Sequence, residues 1–146
     1  MTLPARLSLI TLGTRDHARM RAFYRALGWP VGVDIEGDLT SFLLGGVVLA
    51  LWPLEKLSAE AAAGAAVPAA GWSGIALACN CDTRAEVDVA FAAALAAGAT
   101  AVMEPEDREW GGRSGYFADP EGNRWEVAWA PGMEFDDRGA VTRFGP

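Results

Sequence analysis

Hydrophobic positions along the chain change period twice, and they do so in the same order in each half. Leu7 to Leu12 is rich in aliphatic residues and threonine and runs into Gly13-Thr14, the pattern of a strand entering a turn. Asp16 is then placed to cap a helix. Met20, Phe23, Tyr24 and Leu27 follow at i, i+3, i+4 and i+7, one apolar helical stripe, and Gly28 stands where a left-handed cap would end it. This predicts a helix from about His17 to Leu27. Val31 to Ile35, Leu39 to Leu44 and Val47 to Trp52 are then three short strands, separated by Glu36-Gly37-Asp38 and by Gly45-Gly46, which is hairpin-turn chemistry. The first half therefore reads β-α-β-β-β.

Leu54 to Gly71 is dominated by alanine and interrupted by Gly64 and Pro68, which predicts a short helical turn near Ser58 to Ala63 inside a linker. The pattern then repeats. Gly74 to Cys79 is a strand, and Thr83-Arg84-Ala85-Glu86 is a capping box that opens a helix. Val87, Phe91, Ala94 and Leu95 form its stripe and Gly98 closes it. Thr100 to Met103, Gly115 to Ala118 and Trp125 to Trp129 are three more strands, the last two joined by Asp119-Pro120-Glu121-Gly122. Leu9 to Leu12 aligns with Gly74 to Leu77, Leu27-Gly28 with Ala97-Gly98, and Trp52-Pro53 with Trp129-Ala130-Pro131 after one inserted residue. An internal repeat fixes architecture more firmly than any single propensity. The expected fold class is α+β: two tandem βαβββ units in one domain over 1–146, at about 5–54 and 72–131, with a linker at about 55–71 and a tail at 132–146.

Composition narrows the function classes. Apolar residues are 51% of the chain and charged residues 21%, enough to bury a core. The net charge is −7, and all the basic residues except Lys56 are arginines scattered from Arg6 to Arg143, which offers no concentrated basic surface for a phosphate backbone. No window approaches the roughly 20 apolar residues of a membrane span, and the start lacks the order of a signal peptide. The expectation is a cytoplasmic protein with no nucleic-acid or membrane partner. Cys79 and Cys81, the two cysteines, leave the same face of a strand but would need a strained bridge to join, so reduced, buried thiols are expected. With His17 the only other soft donor, the four Cys or His ligands of a structural zinc site are missing.

Several segments together carry a family resemblance: Leu12-Gly13-Thr14-Arg15-Asp16, Arg21-Ala22-Phe23-Tyr24, Leu27-Gly28-Trp29, Trp110-Gly111-Gly112, and Ser114 through Glu126 with its Asp119-Pro120-Glu121-Gly122-Asn123 turn. In this order and separation the chain resembles the vicinal-oxygen-chelate superfamily of glyoxalases, bleomycin-resistance proteins and extradiol dioxygenases. The resemblance implies two βαβββ halves forming a cup-shaped curved mixed sheet around a pocket, and a homodimer. It also implies metal ligands on the first and last strands of each unit, at positions that hold Leu9, Leu49, Gly74 and Glu126 here. Leucine and glycine side chains offer no lone pair, whereas a catalytic divalent ion needs about three protein ligands. No metal site and no cofactor are expected. His17 falls at the start of the first helix, where a solvated histidine is expected.

Glu126 is then the one inherited ligand position still able to act, as a proton acceptor or as an anchor for a cationic ligand, the alternative being a relic ligand bonded to a nearby Arg, Tyr or backbone group. Trp110, Tyr116, Trp52 and Arg113 are the remaining candidate ligand contacts, the tryptophans by area and ring quadrupole and Arg113 by its forked donors. Arg108 flanks the same loop. Three functions compete: a metal-independent protein that binds or sequesters an aromatic or cationic small molecule; a metal-independent isomerase, lyase or epimerase with Glu126 as base; and a dimeric accessory protein with a vestigial cup.

Overall fold

The computed structural model describes residues 2–67 and 69–145. Pro68 of the expected linker lies outside the described residues. The first unit is β1 (Leu9–Thr14), α1 (His17–Ala26), β2 (Val31–Asp34), β3 (Thr40–Leu43) and β4 (Val48–Pro53). The second is β5 (Ala76–Asn80), α3 (Arg84–Ala97), β6 (Thr100–Asp107), β7 (Arg113–Ala118) and β8 (Arg124–Trp129). Each makes a four-stranded mixed sheet, ordered β1-β4-β3-β2 and β5-β8-β7-β6, with the first and last strands of the unit parallel and its hairpins antiparallel. The fold is α+β with two tandem βαβββ sheets.

The helices begin and end where local chemistry allows. The Asp16 carboxylate accepts a hydrogen bond from the Arg19 backbone N–H at 3.0 Å. In α3 the reciprocal bonds of Thr83 and Glu86 form a complete capping box, and Gly98 ends the helix at φ +114°, a conformation glycine adopts without a Cβ penalty.

Packing joins the units into one core. Met20, Phe23 and Tyr24 of α1, Val87, Phe91 and Ala94 of α3, Phe42, Leu49 and Leu51 of the first sheet, and Phe117, Trp125 and Val127 of the second are buried in a single cluster. A polar clip locks it. The Tyr24 hydroxyl donates to Asp119 Oδ2 at 2.7 Å and accepts from Trp125 Nε1 at 2.9 Å. Asp119 Oδ1 accepts the backbone N–H groups of Glu121 and Asn123, each at 3.0 Å, and Glu121 in turn accepts those of Arg15 and Asp16 at the entry to α1. A turn of the second unit thus supplies negative charge at the start of the first unit's helix, where unpaired N–H groups favour it.

The ladders correct the repeat alignment. Ile10 pairs with Leu49, and Leu77 pairs with Trp125, so Leu9 corresponds to Ala76 rather than to Gly74, and the counterpart of Glu126 is Ala50 rather than Leu49. Trp52 corresponds to Ala128 by the same rule. Leu49 is in the core at 1% exposure, on the helix-covered face of its sheet. Hydrophobicity alone cannot fix register in strands this short, because a one-residue slip exchanges the two faces.

Two segments take shapes the chain's periodicity did not announce. The expected linker opens with a full helix, α2 (Leu54–Ala61), which begins directly after β4 and packs on β1 and β4. A Cβ on Gly13 would meet Leu54 Cδ1 at 2.5 Å and Leu57 Cδ2 at 3.2 Å, so α2 lies on the face of the first sheet opposite the core. The tail forms a hairpin, β9 (Glu134–Phe135) with β10 (Val141–Arg143), whose turn is pressed against the β3–β4 turn: a Cβ on Gly45 would come within 2.5 Å of the Gly139 carbonyl oxygen.

Candidate functional site

Strand alternation decides what each sheet shows on its concave face, away from α1 and α3. Along β8, Trp125 and Val127 enter the core, so Glu126 and Ala128 leave on the other side. Ala78 faces Glu126 across the parallel β5–β8 ladder, and Asn80 faces Ala128. These four residues line a cavity of about 880 Å³ together with Trp110, the segment Ala130-Pro131-Gly132-Met133, and Phe144 and Gly145 of the tail. The walls are mainly apolar, with Glu126 the one acidic side chain and Asn80 an amide beside it. Every lining residue comes from the second unit or the tail; the first unit contributes none, against the expectation that two halves close around one pocket.

Tyr116 stands directly opposite Glu126 in the β7–β8 ladder. Its phenol is raised above the ordinary tyrosine range, first by desolvation, then by the Glu126 charge and by a hydrogen bond to that carboxylate, with nearby Arg108 opposing. The pair offers a ligand an anionic acceptor with a neutral hydroxyl next to it. Trp110 is 53% exposed at the cavity edge. It can lie there because Gly112 has no side chain: a Cβ at that position would sit 1.8 Å from the indole and 2.4 Å from the Trp129 carbonyl oxygen.

Glu126 and Trp110 line the cavity, Tyr116 lies beside Glu126 without being one of the lining residues, and the other two candidates lie elsewhere. Arg113 has the same strand parity as core residue Phe117 and points to the helix face, where its guanidinium donates to both Asp88 oxygens at 2.8 Å and also to Asp107 and the Pro105 carbonyl. Those partners raise its already high pKa, and it does not reach the cavity. Trp52 lies in the first sheet and its indole N–H donates to Asp38 at 3.2 Å. Arg108 is held by Ser114 Oγ at 2.8 Å, the Ser114 carbonyl at 3.0 Å and Glu106 at 2.7 Å. Of the other tryptophans, Trp125 is core, Trp29 packs against the core, Trp129 lies under the Arg84 guanidinium at 5.1 Å, and the Trp72 indole bonds to the Ile75 carbonyl.

Three cavity residues escaped the sequence. Asn80 was visible only as the spacer between two cysteines, although strand alternation does place it opposite them. Met133 and Phe144 belong to a tail with no periodic pattern, and no sequence signal marks them. His17 is buried rather than solvated, with its ring nitrogens 3.3 Å from Thr14 Oγ1 and 3.1 Å from Thr40 Oγ1. Burial and then Arg21 lower its pKa. It ties the β1–α1 turn to β3 and is remote from Glu126.

The donor set around Glu126 does not fit a divalent ion. Its neighbours on the concave face are Ala78, Ala128, Asn80 and Tyr116, and among the described residues no three of His, Cys, Asp and Glu come together.

The family profile of the Glyoxalase/Bleomycin resistance protein/Dioxygenase superfamily matches residues 6–127. The chain belongs to this superfamily. A glyoxalase-related enzyme from Fulvimarina pelagi is similar at 30% identity with a TM-score of 0.87, over 98% of this chain and 100% of that one. A lactoylglutathione lyase from Agrobacterium tumefaciens shares 26% identity with a TM-score of 0.68, over 87% and 95%. An uncharacterized protein of Mycobacterium bovis is 49% identical over 45 residues, a match that spans only 31% of this chain and 30% of that protein. The polar clip of Tyr24, Asp119, Glu121, Asn123 and Trp125 lies within the matched residues. It holds the fold, and the site lies on the other face of β8.

Proposed function

We propose that this superfamily member is a metal-independent small-molecule binding protein, which takes a flat aromatic or cationic ligand into the Glu126 cavity. The observation that carries this reading is the cavity itself: about 880 Å³, within the range of ligand pockets, with apolar walls, an aromatic edge at Trp110 and a single carboxylate. Glu126 supplies a charge-assisted acceptor for an N–H donor, and Trp110 supplies a ring face for a planar or cationic group. Metal independence is supported by the donor set: among the described residues no three of His, Cys, Asp and Glu come together, and Glu126 is flanked by alanines, an amide and a phenol rather than by the ligands of a catalytic zinc-type site. The chain is read as cytoplasmic and as a homodimer in which a second copy covers the open side of the cavity, without nucleic-acid or membrane partners. Among the described residues no helix is long and apolar enough to cross a membrane.

The test is a screen of aromatic and cationic compounds by thermal shift and tryptophan fluorescence on chelator-treated protein, with light scattering for the oligomeric state. Saturable stabilisation by aromatic cations is expected. Binding that appears only after a divalent metal is added would defeat the reading.

The arrangement of Glu126 and Tyr116 favours a second reading, an isomerase, lyase or epimerase in which Glu126 takes a proton from a carbon next to a carbonyl. The neutral Tyr116 hydroxyl would then exchange its hydrogen bond to Glu126 for one donated to the carbonyl oxygen. Glu126→Gln abolishes turnover if this is so and leaves it unchanged if Glu126 is only an anchor.

A further inference from the structure

The Glu126 cavity leaves Cys79 and Cys81 unused, although both lie along β5 and its exit, the free edge of the second sheet. Two residues apart, they project from the same face, while Asn80 between them projects into the cavity. We propose that Cys79 and Cys81 form a two-coordinate site for one soft thiophilic ion, of the Cu(I), Ag(I) or Hg(II) type.

Spacing carries the inference. A rise of about 3.3 Å per residue puts the two Cβ atoms roughly 6.6 Å apart. A disulfide needs them at about 3.5–4.5 Å, so direct oxidation of the pair to an intrachain bridge is geometrically blocked. A linear sulfur–metal–sulfur unit with bonds of about 2.3 Å spans roughly 4.6 Å, which two thiols leaning toward each other from that spacing can reach. Burial, and after it the neighbouring Cys79, push the Cys81 thiol up to about 11, so the ion binds by displacing both thiol protons.

The number of donors sets the choice of ion. Among the described residues no group of three His, Cys, Asp or Glu exists, so zinc, which takes four ligands in structural sites, is not accommodated, whereas soft ions satisfied by two thiolates are. Entry is open on one side. Cys79 is exposed, contrary to its expected burial, and lines a groove of about 420 Å³ with Trp29, Leu43, Trp125 and Phe135, between the two units. Cys81 sits deeper, packed against the core. The reaction is ligand exchange without redox: Ag⁺ and two thiols give one RS–Ag–SR⁻ unit and two protons.

Silver ion alone is the probe, added to the full-length, freshly reduced protein, with Zn(II) as the comparison ion. Native mass spectrometry is expected to show one Ag⁺ per chain at sub-stoichiometric and equimolar addition, with quenching of the groove tryptophans that saturates at one equivalent, and no such binding of Zn(II). Cys79→Ser, at an exposed position, is expected to keep the circular dichroism spectrum and to weaken Ag⁺ binding at least a hundredfold. Diamide is expected to leave both thiols countable as monomers in denaturant, with no intrachain bridge. Two Ag⁺ binding independently per chain, undiminished binding by Cys79→Ser, or ready closure of an intrachain disulfide would each overturn the proposal.

Discussion

The concave faces of the two sheets hold equivalent positions in the repeated unit but are covered differently. In the first, Leu9, Thr11 and Gly13 of β1 and Ala50 of β4 occupy the ladder positions that hold Ala76, Ala78, Asn80 and Glu126 in the second. Helix α2 continues from β4 without a break and lays Leu54 and Leu57 over Gly13, so Ala50 is only 2% exposed. In the second, β8 is followed by a turn in which the Met133 N–H donates to the Ala130 carbonyl, and the tail walls a cavity around Glu126 instead of filling it. The difference lies in the segment that leaves the last strand of each unit. One that starts a helix at once covers its own sheet, whereas one that begins Ala130-Pro131-Gly132 leaves room for a ligand.

The sharpest way to break this comparison is to write the second face into the first. Ala50→Glu places a carboxylate at the counterpart of Glu126 but beneath α2, without a cationic partner. It is expected to cost about 3 kcal/mol or more of stability in urea unfolding and to create no second binding site. The clip comes next. Asp119→Ala strands the buried Tyr24 hydroxyl and frees the turn that holds the start of α1, with an expected loss of about 2–3 kcal/mol. Because both units share one core, the transition should stay single and shift as a whole; two separate transitions would show that the halves are independent.

Smaller effects refine the second face. Trp110→Ala removes a half-exposed ring, so stability should change by under about 0.5 kcal/mol, while the affinity for an aromatic cation falls by about 1–2 kcal/mol in a fluorescence or calorimetric titration. The chain has two tyrosines, which makes their ultraviolet titration easy to assign. Tyr24 is buried beside Asp119 and should ionise only with unfolding, whereas Tyr116 should ionise above pH 10 in the native protein. Glu126→Gln removes a neighbouring negative charge that disfavours the phenolate, so Tyr116 should titrate at lower pH in the variant. It should remain above the ordinary value, because desolvation is the larger cause of its shift.

Much of the fold was legible because the residues that make it are local or repeated. Asp16, Thr83-Glu86 and Gly98 announce helix ends through backbone chemistry, and the stripe of Met20, Phe23 and Tyr24 announces a buried face. The Asp119-Pro120-Glu121-Gly122-Asn123 turn is recognisable because the clip demands those side chains at those distances. Register was less legible. Leu49 and Ala50 are both buried apolar residues, so their hydrophobicity does not say which one shares the face of Glu126. The site was legible in part. Glu126 and Trp110 line one cavity with Tyr116 beside Glu126, whereas Arg113 is drawn to Asp88, 25 residues away on α3, and Trp52 to Asp38, pairings that no local pattern announces. The tail residues were invisible because their role depends on where a nonperiodic segment comes to rest.

The proposed binding of a cationic aromatic ligand through Glu126 in the cavity of the second unit, with no metal, is directly measurable. Isothermal titration of one aromatic cation selected by the screen, into chelator-treated wild-type and Glu126→Gln proteins, tests it. One saturable site per chain is predicted, unchanged by added chelator and weakened about tenfold or more in the variant, as expected when a charge-assisted hydrogen bond becomes a neutral one. Equal affinity in the two proteins, or binding that requires an added divalent ion, would contradict it.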